Sequence, residues 1–112
     1  MKISEIAKLL SCRVWCGGDE LEGEVRSACG SDMMSDVLAY AKDHAVLLTG
    51  LVNPQVIRTA EMMDVICVVF VRGKEPTGAM ISLAQQKGLV LLSTKLRLFH
   101  ACGILYANGL EG

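Results

Sequence analysis

The sequence predicts a three-layer α/β domain: a mainly parallel sheet of about five strands with helices on both faces. Three observations carry that prediction. Short apolar runs alternate with stretches of helical periodicity, the pattern of strand–helix–strand crossovers. One phrase is stated twice between residues 45 and 92, namely apolar run, glycine turn, proline-led helix and apolar run, with the turn glycines Gly50 and Gly73 23 positions apart. The composition is 52% hydrophobic but only 4% aromatic, so the core must be aliphatic, as suits strands covered on both faces. At 112 residues the chain reads as one domain, residues 1–112.

Taken in order, residues 2–10 place Ile3, Ile6, Ala7 and Leu10 on one helical face. Residues 11–16 alternate around Cys12, Val14 and Cys16 as a strand, and Gly17-Gly18-Asp19 is a turn. A second short strand, 24–29, ends in small residues at Gly30, where backbone must be approached closely. These two strands are shorter and more polar than the rest, and form either a sheet edge or an antiparallel ribbon. Ser31-Asp32 is an N-cap for a helix running to Lys42 or Asp43, with Met33, Met34, Val37, Leu38 and Ala41 as its apolar stripe and His44 at its negative end. Strand 45–48 leads to Asn53, an N-cap, and Pro54, a first helical residue whose missing N–H costs nothing there. That helix, to Met63, buries Val56, Ala60 and Met63. Strand 65–71 follows, then a second proline start at Glu75-Pro76 and helix 77–87 carrying Met80, Leu83 and Ala84. Gly88 is its C′ glycine. Strand 89–92 precedes Ser93-Thr94, an N-cap for a last helix, 95–108, with Leu96, Phe99, Cys102, Gly103 and Tyr106 at helical spacing. Trp15 and Tyr106 either anchor a subunit interface or pack in the core.

The composition also excludes function classes. A net charge of −1 with Lys and Arg scattered singly gives no footprint for nucleic acid. No apolar run reaches 18 residues, and residues 1–5 lack a signal peptide's apolar region, so the expectation is a cytoplasmic protein that does not enter a membrane. Five cysteines, an odd number, fit reduced thiols. Their spacing suits no zinc ribbon, so no metal is expected, and no cofactor either. Cys29 precedes a helix start, where a thiolate would be stabilised; the alternative is an inert buried thiol. With glycine included, about 62% of the chain is apolar against the usual 45–50%, a surplus that points to a homodimer, the alternative being a crowded parallel sheet buried on both faces.

The loops after parallel strands are where open α/β sheets bind ligands. Here they offer helix N-termini, the cations Arg72, Lys74 and Lys95, and the hydroxyls of Thr49, Ser93 and Thr94. The candidate ligand-binding residues are Asp32, Thr49, Gly50, Arg72, Gly73, Lys74, Ser93 and Thr94, and the ligand is a small anion or nucleotide. The competing reading is that these are ordinary caps and turns. Asp32 and Asp36, at i and i+4, would share one helical face and could serve acid–base chemistry; otherwise they complement the helix dipole. Arg58 either pairs with Asp36 or Glu61 or reaches the loop face. No G-x-x-x-x-G-K-[ST] and no G-x-G-x-x-G is present, so neither phosphoryl transfer nor a dinucleotide site is supported. No catalytic residue is assigned.

Ser31-Asp32-Met33-Met34-Ser35-Asp36-Val37-Leu38, Leu48-Thr49-Gly50-Leu51, Gln55, Arg58-Thr59-Ala60-Glu61, Val71-Arg72-Gly73-Lys74-Glu75-Pro76, Leu92-Ser93-Thr94-Lys95 and Cys102-Gly103-Ile104-Leu105 together resemble the DRTGG family in its stand-alone form. The likeness covers about three quarters of the chain, although the five-letter motif itself is absent. It extends to the N-terminal domain of HPr kinase/phosphorylase. The resemblance implies a non-enzymatic regulatory or dimerising module, with catalysis elsewhere. It also implies a rival role, a ligand-free interaction subunit working with hydrogenase or sensor-kinase partner proteins.

Overall fold

The computed structural model describes Met1–Gly112. Its elements are α1 (Ile3–Leu9), β1 (Arg13–Cys16), β2 (Ser27–Gly30), α2 (Met34–Tyr40), β3 (Ala45–Thr49), α3 (Pro54–Met62), β4 (Cys67–Phe70), α4 (Gly78–Lys87), β5 (Val90–Ser93) and α5 (Leu98–Ala107), with a 3-10 turn at Gly18–Glu20. The five strands form one sheet in the order β1-β5-β4-β3-β2, parallel throughout except that β1 runs antiparallel to β5. The two short N-terminal strands therefore occupy opposite edges and never pair as a ribbon.

The three central strands are buried along their whole length, and alternation sends their side chains to two cores. Val46, Leu48, Cys67, Val69, Val90 and Leu92 meet Ile3, Ile6 and Leu10 of the α1 segment and Ala101 and Leu105 of α5. On the other face Ala45, Leu47, Val68, Phe70 and Leu91 meet Val37 of α2, Val56, Ile57 and Ala60 of α3, and Met80 and Ala84 of α4. That is the expected three-layer arrangement. The strand order also says why α2, α3 and α4 share a face. Each crossover from β2 to β3, β4 and β5 steps the same way across the sheet, and right-handed crossovers stepping one way stay on one side.

Several local expectations are corrected. Helix α2 begins at Met34 and ends at Tyr40, so His44 does not close it; His44 adopts a left-handed φ of 55° immediately before β3. Pro76 does not open α4. Thr77 is the N-cap, its side chain accepting from Met80 N at 3.2 Å. Asn53 and Pro54 act as expected, Asn53 accepting from Gln55 N at 2.8 Å. Helix α3 lies between α2 and α4, so Ile57 and Thr59 are buried with Val56 and Ala60, while Met63 is only half-buried. Cys12 and Cys16 do not face the same side. A bulge between Val14 and Cys16 shifts the register, which sends Cys16 to the α3/α4 core and leaves Cys12 against the α1/α5 core. Arg58 is exposed and forms no ion pair; Glu61 pairs with Lys87 at 3.2 Å instead.

Gly30 behaves as the pattern required, since a Cβ there would lie 2.6 Å from the Cys102 sulfur. All five cysteines are free, and no helix is long and apolar enough to cross a membrane.

Candidate functional site

The C-terminal ends of β3, β4 and β5 carry the residues singled out from the sequence, and they sort into two groups. The first gathers around Asp32. This residue lies before α2 rather than in its first turn, and its carboxylate turns to the neighbouring strand end. Oδ1 accepts from Gly50 N at 2.6 Å and from Thr49 Oγ1 at 3.2 Å, and Oδ2 lies 3.6 Å from Arg72 Nη2. Thr49 Oγ1 in turn accepts from Leu51 N at 3.1 Å. Arg72 crosses Gly50, where a Cβ would stand 2.9 Å from the guanidinium carbon, so only glycine lets it lie there undisturbed. Asp32 is thus an internal anion that already holds the free N–H after β3. Its displacement from the helix also overturns the expected face shared with Asp36, and the acid–base arrangement of those two carboxylates loses its geometric basis.

The second group surrounds the turn after β4. Val71-Arg72-Gly73-Lys74 closes with Lys74 N donating to Val71 O at 3.1 Å, and its two central residues are left-handed, with φ of 60° at Arg72 and 71° at Gly73. Positive φ at both centres belongs to the type I′ turn and explains Gly73. The turn is tied to the chain leaving β5, because Arg72 N donates to Leu96 O at 2.7 Å and Gly73 N to Thr94 O at 2.9 Å. Thr94 and Ser93 are not caps of α5, whose N-cap is Arg97. The buried Thr94 hydroxyl donates to Leu10 O at 2.7 Å and accepts from Leu96 N, which fastens α1 to the strand end. Ser93 Oγ accepts from Trp15 Nε1 at 2.8 Å. Lys74 is exposed and forms no ion pair.

Beside this second group opens a cleft of about 580 Å3, within the range of small-molecule sites. Its lining includes Gly73, Glu75, Ser93, Thr94 and Lys95 from the turns after β4 and β5, and the apolar Leu10, Leu96 and Ile104; Arg13 of β1, the cross-strand partner of Ser93, lines it as well. Arg13 is held with its guanidinium carbon 3.9 Å from the centroid of the Trp15 ring. Topology gives this location a meaning. Chain leaving β4 passes to α4 on one face of the sheet, and chain leaving β5 passes to α5 on the other. Where neighbouring strands send their connections to opposite faces, an open α/β sheet parts into a crevice. Among the eight expected residues, Gly73, Ser93 and Thr94 line the cleft; Asp32, Thr49, Gly50 and Arg72 form the adjoining network; Lys74 joins neither.

Sequence reasoning missed Arg13 and Leu10. Only the antiparallel docking of β1 on β5 brings them to the strand end, and nothing local in residues 10–16 announces a partner some 80 positions away. Lys95 was legible as a loop cation.

No group of three His, Cys, Asp or Glu side chains is placed to hold a metal ion. Cys29 does not sit as an activated thiol: burial, and then the Asp36 carboxylate, push its pKa up and so disfavour the thiolate.

No family model and no curated protein sequence matches the chain. Among solved structures it is similar to the CBS and DRTGG domains of the regulatory region of Clostridium perfringens pyrophosphatase, complexed with its activator diadenosine tetraphosphate. The TM-score is 0.77 at 13% identity, over 93% of this chain and 45% of that one. The chain thus spans less than half of that structure. The likeness shows a shared α/β fold.

Proposed function

We propose that this chain is a non-enzymatic, ligand-sensing regulatory domain, that it works as a dimer, and that it takes a small anion or nucleotide at the C-terminal ends of its parallel strands. One observation carries the reading: the cleft lies where the connections from β4 and β5 part to opposite faces, and its lining joins the cations Arg13 and Lys95 to the apolar Leu10, Leu96 and Ile104. Two cations against the single acid Glu75, beside aliphatic side chains, suit an anionic head on a less polar body. The solved structure of similar fold belongs to a regulatory region and holds a nucleotide activator, which supports the same class of role here. Arg72 is a secondary cation, exposed and 3.6 Å from Asp32, able to swing from that carboxylate toward an arriving phosphate.

The test is a thermal-shift panel of inorganic phosphate, ATP, GTP, diadenosine tetraphosphate and coenzyme A. A ligand at 100 times its dissociation constant adds about 2.7 kcal/mol, several degrees for a domain of this size. The shift should vanish in Arg13→Ala/Lys95→Ala and shrink in Arg72→Ala/Lys74→Ala. A flat panel on the folded wild type would sink the ligand-sensing reading and return the chain to the interaction-subunit role.

A further inference from the structure

Helix α5 carries no Asp, Glu, Lys or Arg, yet it lies on the surface of the molecule. Its buried positions are Ala101 and Leu105. Of the apolar stripe legible in the sequence, Leu96 and Cys102 pack against the core, while Phe99, 92% exposed, and Tyr106, 69% exposed, point the other way. Between them Gly103 has nothing within 4 Å of where a Cβ would be, so backbone is bare at the centre of the face. Those two rings themselves flank a mainly apolar groove of about 340 Å3, whose remaining lining comes from Ala28 and Gly30 of β2, Cys102 and Gly103 of α5, and the tail residues Leu110 and Gly112. A protruding ring and an apolar groove on one face are what a two-fold axis needs, because each copy then offers the knob and the hole.

We infer that a second copy of this chain packs on this face, each protomer inserting Phe99 into the groove between α5 and β2 of the other. An antiparallel crossing of the two α5 helices at Gly103 sets Phe99 of one protomer near Tyr106 of its partner, since those rings lie four residues before and three after the glycine. With about 200 Å2 for an aromatic side chain, the two rings bring about 300 Å2 per protomer. That is half of the roughly 600 Å2 a side at which specific interfaces begin; the exposed Gly30, Gly103 and Gly112 of the same groove extend it. Sheet edges are poorer seats. The β2 edge is covered where Ala28 N donates to Glu111 O at 2.9 Å, and β1 is four residues long and bulged.

This inference rests on the dimeric half of the proposed function and is independent of any ligand. Sedimentation equilibrium of the wild type should give twice 12.1 kDa. Phe99→Glu should weaken the dimer by at least about 30-fold, as loss of an interface hot spot does. Gly103→Arg should do the same while leaving the monomer fold intact, because the site is open and glycine is the poorer helix former. Val14→Glu, on the β1 edge, should leave the dimer unchanged. A monomeric wild type at 100 µM would overturn both the dimer and its face. A dimer that survives Phe99→Glu and Gly103→Arg, or one broken by Val14→Glu, would overturn the face alone.

Discussion

Two glycines show how differently the same substitution can act. At Gly17, φ is 81° and an added Cβ would stand 2.9 Å from the Val90 backbone, which is fixed inside the sheet. Gly17→Ala should therefore cost about 2–4 kcal/mol in urea unfolding, combining left-handed strain with overpacking. At Gly50 the obstruction is the end of a half-exposed arginine, which can move into water. Gly50→Ala should cost under about 1 kcal/mol, and if it proves as damaging as Gly17→Ala, the Arg72 contact is far more rigid than its exposure implies. The thiols set a pH dependence. Burial pushes Cys12 from 9.0 to about 12 and raises Cys16, Cys29, Cys67 and Cys102 as well. Above pH 9 the unfolded chain sheds thiol protons that the folded chain keeps, so the unfolded state binds fewer protons and stability falls as pH rises. The urea midpoint should be lower at pH 10 than at pH 7.5, and Cys12→Ala should lessen that drop; equal midpoints would contradict the burial of these groups. At this scale the sequence identified the polar residues at the strand ends but not their pairings. That Asp32 would leave the α2 start to hold Gly50 N depends on β2 lying beside β3, a non-local fact.

Elements were legible where two local signals agreed. The Asn53-Pro54 start of α3 and the Gly88 end of α4 combine a backbone preference with a matching residue, and both stand as read. The start of α4 shows the opposite case, with Pro76 competing against Thr77 one residue later. Because the Thr77 hydroxyl holds Met80 N, Thr77→Ala should lower stability by about 1 kcal/mol, measurable by urea unfolding, whereas Thr77→Ser should restore most of it. If Thr77→Ala is neutral, water holds Met80 N as well as the hydroxyl does, and the cap adds nothing to stability. Helix α5 was only partly legible, for another reason. Apolar spacing identifies a stripe but not what covers it, and a helix with apolar residues all round has two candidate stripes. The small Ala101 and the Leu105 four residues on face the sheet, and the aromatics were left outside.

At the scale of the molecule, fold class followed from repetition, because one strand–turn–helix–strand phrase stated twice admits few topologies. The position of β1 did not follow, since an antiparallel edge strand can add to either side of a parallel sheet. That single placement brings Arg13 to the cleft. A dimer through α5 would also couple melting to protein concentration: the wild-type transition should rise with concentration while that of Phe99→Glu stays constant.

Trp15 is the one tryptophan in the chain, and it touches two residues that line the cleft: the Arg13 guanidinium lies over its ring, and its ring nitrogen donates to Ser93 Oγ. Anything that draws Arg13 away from the indole, or competes for the Ser93 hydroxyl, changes the charge and polarity around that ring. The protein therefore carries a built-in optical gauge of its own cleft, readable as a shift in emission wavelength without a label.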